Sequence, residues 1–183
     1  FGNRPYVVTE ANDRTDLQLR TNTEIWHKEN ALNLVIQNLP DDWEYVAWVD
    51  ADVAFARADW VQETLNQLQH YEFVQMFSVA QDLLPNNEPM QKHFGFVYSY
   101  LHGRMAKPGY SNWHPGFAWA ARREALNHVG GLIDYAILGA ADRHMAFSLI
   151  GKVDETIPHE LESGAYGQEL KLWQERAEKY VQR

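Results

Sequence analysis

A chain of 183 residues, 45% hydrophobic and 13% aromatic, carries enough apolar material for one cored domain, and two would be cramped. Lys and Arg number 16 against 25 Asp and Glu, a formal charge of −9 with no basic run, which argues against a general nucleic-acid or anionic-membrane binder. The absence of cysteine removes thiol nucleophiles, thiolate metal sites and disulfides together.

No apolar stretch approaches the roughly 20 residues of a membrane span. Phe1-Gly2-Asn3-Arg4-Pro5 lacks the basic and apolar regions of a secretory signal. A cytoplasmic protein without a membrane span is the expectation. The missing initial Met suggests a fragment or a processed start.

Thr21 and Glu24 form a capping box ahead of Ile25, Leu32, Val35, Ile36 and Leu39, which share one helical face until Pro40 ends it. Tyr45-Val46-Ala47-Trp48-Val49 reads as a strand buried on both faces, the habit of parallel sheets, and it ends in Asp50-Ala51-Asp52. Asp59 can cap a second helix with Val61, Leu65 and Leu68, and Phe73 to Val79 resumes as a strand. Helix and strand thus alternate, which predicts an α/β fold with a largely parallel central sheet flanked by helices and ligands at the carboxyl ends of the strands.

Residues 81–112, punctuated by Pro and Asn-Asn, read as a long functional loop with a short apolar piece from Phe94 to Leu101. Phe117 to Ala121 reads as a further strand, and Arg123 to Val129 as a short helix closed by Gly130-Gly131. Ala140 to Leu149 reads as a helix, and Gly167 to Val181 as a terminal helix carrying Leu170, Trp173, Ala177 and Tyr180.

Asp50 and Asp52 stand two apart on an extended chain, so both carboxylates can face one guest, and hard cations such as Mg²⁺ or Mn²⁺ favour such oxygen ligands. A solvated turn explains the same pair. A haloacid-dehalogenase-like phosphatase signature is a further alternative, from which the chain departs at the last position, here Ala54.

Val46 to Asp52 looks like the D-x-D segment of nucleotide-sugar glycosyltransferases of the GT-A fold. Gly116-Phe117-Ala118-Trp119-Ala120-Ala121-Arg122-Arg123-Glu124-Ala125-Leu126 and Val129-Gly130-Gly131-Leu132-Ile133-Asp134 are similar to a later segment of the large inverting family. Gly139-Ala140-Ala141-Asp142 falls where that family has G-x-E-D, with Ala141 in place of Glu. The resemblance covers about residues 25–150 and implies one GT-A-like domain over residues 1–183, with residues 81–112 on the acceptor side.

That resemblance implies transfer of a sugar from a nucleotide-activated donor to a hydroxyl acceptor with inversion. It makes Asp142 the general base, and Asp50, Asp52 and a late histidine, His159, the ligands of Mn²⁺ or Mg²⁺. Trp113, His114 and Arg143 would meet donor or acceptor. A turn histidine stiffened by Pro115 accounts equally for His114. The family's first strand–helix unit, which holds the nucleoside, is missing from the resemblance. An exposed edge strand near Tyr6 to Thr9, or a second copy covering it, is therefore expected. The rival expectation is a non-catalytic sugar- or nucleotide-binding domain of the same fold.

Overall fold

The computed structural model describes residue 19 and residues 21–105 and 113–181. In chain order the elements are α1 (Lys28–Gln37), β1 (Tyr45–Val49), α2 (Trp60–Leu68), β2 (Phe73–Gln75), β3 (Val79–Leu83), β4 (Pro89–Phe94), α3 (Phe96–Leu101), β5 (Ala118–Arg122), α4 (Arg123–Val129), α5 (Ala141–Ser148) and α6 (Ala165–Val181). Short 3₁₀ turns occupy Val153–Thr156 and His159–Leu161.

The expected parallel sheet is corrected by the strand pairing. The main sheet has the order β1-β5-β2, and β5 runs antiparallel to both neighbours. Tyr45 faces Arg122 and Val49 faces Ala118 on one side, while Phe73 faces Ala121 and Gln75 faces Trp119 on the other. β1 and β2 point the same way but never touch, because β5 inserts between them. The fold is a mixed α/β arrangement of two small antiparallel sheets and is not the largely parallel GT-A-like architecture that the alternation suggested.

Sequence explains why β5 holds the middle. Ala118, Trp119, Ala120 and Ala121 are each at most 1% exposed, and the small side chains let neighbouring elements approach closely. β1, by contrast, buries only Trp48 and exposes Ala47, so the strand expected to be buried on both faces is a half-covered edge.

The second sheet is the hairpin β3–β4, which with α3 occupies much of the stretch read as loop. The strand read from Phe73 to Val79 breaks after Gln75, and Val79 opens the hairpin instead. Leu84 and Glu88 close its turn with a 2.8 Å backbone bond, and Asn87 adopts φ +65°, a conformation that Asn tolerates better than most residues.

The first helix also starts later than the capping box suggested. Thr21 Oγ1 accepts the Thr23 amide at 3.1 Å and lies 3.0 Å from His27 Nε2, so the threonine closes a local turn rather than a helix. The helix begins at Lys28. Asp59 likewise gives both carboxylate oxygens to Arg57 instead of capping α2.

Around β5 the core gathers Trp119, Leu126, Val129, Ile133, Leu170 and Trp173, with α4 and α6 packed together. Gly130 and Gly131 both take φ +89° after α4, and the turn is read from two directions. Trp173 Nε1 donates to the Gly131 carbonyl at 2.9 Å, while Asn33 of α1 exchanges two bonds with Leu132, accepting its amide at 2.9 Å and donating to its carbonyl at 3.0 Å.

Behind α5 lies a buried polar chain. Thr156 Oγ1 donates to the Val153 carbonyl at 2.7 Å, so it can only accept from His144 Nδ1, 2.7 Å away, and Tyr166 O–H then donates to His144 Nε2 at 2.8 Å. His144 is 3% exposed, and burial followed by the nearby Arg143 charge pushes its pKa down to about 4. No helix of the described residues is long and apolar enough to cross a membrane. The edge strand expected near Tyr6 to Thr9 lies outside the described residues.

Candidate active site

The end of β1, the segment before β5 and the start of α5 converge on one cleft. Asp50 follows β1 and is anchored when its amide donates to the Phe117 carbonyl at 2.8 Å. Asp142 stands in the first turn of α5, where its Oδ1 accepts the Arg143 amide at 2.8 Å. Gly139 at φ +94° and Ala140 at φ +71° turn the chain sharply into that helix.

Lys28, Glu29, Trp48, Asp50, Gly116, Phe117, Trp119 and Asp142 line the cleft, with Ala141, Met145, Leu132 and Ile133 also contributing to its walls. Its volume is about 20 Å³, room for one water or one hydroxyl group. Any larger ligand must lie across the mouth.

Gly116 leaves the floor open for the Asp142 carboxylate. A Cβ there would fall on Asp142 Oδ2, closer than carbon and oxygen can approach, and 3.1 Å from His114 Cε1. The Gly116 amide donates to His114 Nδ1 at 3.1 Å, which leaves the proton of the neutral ring on Nε2. The imidazole stacks on Phe117, with ring centroids 3.8 Å apart and planes 4° from parallel. Burial holds His114 below the ordinary histidine pKa, against the opposing pull of Asp142, so the ring is neutral at neutral pH.

Gln75 organises the approach to this floor. Buried at the end of β2, it donates Nε2–H to the His114 carbonyl at 2.9 Å and accepts the Val97 amide on Oε1 at 3.0 Å. Its amide thus ties the sheet to α3. A polar residue inside the apolar run Phe73 to Phe77 was the available sequence signal for it.

The metal expectation is corrected here. Lys28 Nζ forms an ion pair with Asp50, Asp52 is exposed on the following turn, and His159 sits on an exposed 3₁₀ turn that does not line the cleft. Among the described residues no group of three or more His, Asp or Glu side chains is placed to hold a cation. Asp50, Asp52 and His159 are thus not gathered into one donor set among the described residues.

Two further expectations separate. Trp113 is 4% exposed and packs on Phe96 and Phe147 at centroid distances of 5.3 and 5.7 Å, so it belongs to the core rather than to a ligand. Arg143 places its guanidinium 5.7 Å from the Phe147 ring centroid and does not line the cleft. Lys28 and Glu29 do line it, and helical periodicity around them carried no sign of that role.

Glu29 is half-buried, and burial pushes its carboxyl pKa up, helped by the Asp142 charge and opposed by Lys28 and the Trp26 side chain. A larger cavity of about 330 Å³ opens at the other end of β1 and β5, lined by Trp43, Tyr45, Arg122 and Arg123 among others. Its arginines are committed to structure. Arg122 donates to the Leu68 carbonyl at 3.0 Å, and Arg123 donates to the Asp41 and Trp43 carbonyls.

No protein-family model, curated protein or solved structure matches this chain.

Proposed function

We propose that this protein transfers a sugar from a nucleotide-activated donor to a hydroxyl acceptor, with Asp142 as the general base. The observation that carries the reading is the convergence of Asp142 and Asp50, far apart in sequence, on one open cleft with room for a single hydroxyl group. The serial likeness of the Val46–Asp52, Gly116–Asp134 and Gly139–Asp142 segments to glycosyltransferase motifs supports it.

In this reaction the acceptor hydroxyl gives its proton to an Asp142 carboxylate oxygen as its own oxygen bonds to the anomeric carbon. The bond from that carbon to the diphosphate breaks on the opposite face, and its electron pair leaves on the nucleoside diphosphate. The configuration inverts. Gly116 allows the carboxylate its position, with the neutral His114 ring beside it. No step is assigned to a metal, and a cytoplasmic location is part of the proposal.

A panel of nucleotide sugars, assayed for release of free nucleotide with and without simple glycoside acceptors, tests it. Asp142→Asn is expected to cut turnover by about 10² or more while donor affinity stays nearly constant, since the base acts in the transition state. Binding without turnover, unaltered by Asp142→Asn, would show the non-catalytic domain instead.

A further inference from the structure

We propose that Phe117 is the platform on which the sugar ring of the acceptor lies, so that the acceptor is a pyranoside with an apolar C–H face rather than an acyclic alcohol. The inference rests on the sugar-transfer reading and names its acceptor class. The cleft has room for one hydroxyl group, so the ring that carries it must lie across the mouth. What the mouth offers such a ring therefore selects it.

The lining decides which side chain that is. Lys28, Glu29, Asp50 and Asp142 are charged and partly exposed, suited to hydroxyl groups. Trp48 and Trp119 are buried, as are the aliphatic side chains of the walls. Among the described residues of the lining, Phe117 is the one apolar side chain that keeps surface for a ligand. It directly follows Gly116, against which the Asp142 carboxylate lies, so a sugar ring resting there holds a hydroxyl beside the base. Pyranosides gather C–H groups on a face of the ring, and these pack against an aromatic surface as an acyclic chain does not.

The backbone supplies an independent reason. The Ala118 amide donates to the Gly116 carbonyl at 3.1 Å across Phe117, which holds φ +72°. This is the γ-turn of positive φ, a rare and strained conformation that a bulky residue adopts at a cost and glycine adopts freely. A glycine would build the same turn, and the same carbonyl contact to the Asp50 amide, without the strain, so what sets Phe117 apart is its ring. That ring is braced. His114 stacks on it at 3.8 Å, while Phe77 and, edge-on, His93 approach to 5.5 and 5.8 Å between centroids. His93 in turn donates from Nε2 to Asp82 at 2.8 Å. A platform fixed in this way loses little freedom when a ligand settles on it.

The probes are methyl β-glucoside, methyl β-galactoside and the acyclic polyols glycerol and sorbitol, titrated without donor by ligand-observed NMR. The wild-type chain is expected to bind at least one pyranoside at least about 10-fold more tightly than either polyol. Phe117→Tyr should hold that affinity, while Phe117→Leu should lose about 10-fold. Phe117→Gly, which suits the turn, should lose the preference for the pyranoside and still unfold cooperatively in urea. Polyols bound as tightly as the pyranosides, wild-type affinity in Phe117→Leu, a loss in Phe117→Tyr equal to that in Phe117→Leu, or no pyranoside bound at all would overturn the proposal. Nucleotide release is scored separately. Phe117-dependent binding without release sinks the transfer reading alone, and release to pyranosides that Phe117→Leu leaves unchanged sinks the platform alone.

Discussion

Acidification should unfold this protein in part through His144. Its ring is 3% exposed, donates from Nδ1 to Thr156 and accepts from Tyr166 on Nε2, so a second ring proton would force the Tyr166 hydroxyl to give up its donor role in a buried site. The folded pKa is pushed down to about 4 from 6.5, so at intermediate pH the unfolded chain binds the proton first. The stabilisation is complete above the unfolded value and is lost as pH falls toward the folded one. The whole shift corresponds to about 3 kcal/mol, of which about 2 kcal/mol is lost between roughly pH 7 and pH 5. That is a large share of a domain's stability.

Urea unfolding followed by tryptophan fluorescence measures it, on the wild-type chain and on His144→Gln at both pH values. Carboxylates and other histidines titrate in both proteins and cancel in the comparison. The wild-type protein should lose about 2 kcal/mol more than the variant on acidification. Equal losses would refute the neutral, doubly bonded ring.

Gly116→Ala should displace the Asp142 carboxylate and cut sugar transfer about 10-fold or more, with little change in melting temperature, measured by steady-state kinetics beside calorimetry. Asn33→Ala removes both bonds to Leu132 and should cost about 2 kcal/mol in urea unfolding. Gln75→Leu, which strips the partly buried Val97 amide of its acceptor, should cost about 1 kcal/mol and also weaken protection of α3 in hydrogen exchange. Ala140→Gly should stabilise by about 1 kcal/mol, because Ala140 holds a left-handed φ of +71°, as a thermal melt would register.

Element identity was more legible than element pairing. Tyr45–Val49 announces itself as an apolar run, and Trp60–Leu68 and the terminal helix through periodicity, because side-chain spacing is a local property. Strand direction depends on which distant segment supplies the partner, and nothing within Tyr45 to Val49 reveals that Ala118–Arg122 will lie antiparallel beside it. The hairpin stayed hidden because its strands are polar and exposed, with Met90, Gln91 and Lys92 outside, so they show no buried face to detect.

The site divides the same way. Asp50 and Asp142 were visible at element ends, where exposed carboxylates are the exception within apolar surroundings. Lys28 was invisible because its value lies in reaching Asp50, a contact that only the packing of α1 creates. Trp113 was misplaced for a simpler reason. A tryptophan beside a His-Pro-Gly turn looks exposed until Phe96 and Phe147 close over it.

The order β1-β5-β2 also dictates when the sheet can exist. As the chain leaves the ribosome, β1 and β2 emerge early and have no edge to share, for their common partner is still unmade. Not until Arg122 has emerged can β5 slide between them, and the sheet then forms in one non-local step whose cost in loop closure is met all at once. The hairpin differs in that its two strands are neighbours along the chain, so its pairing is local. Chains halted before Ala118 would therefore lack the strand order on which the Asp50 and Asp142 cleft is built.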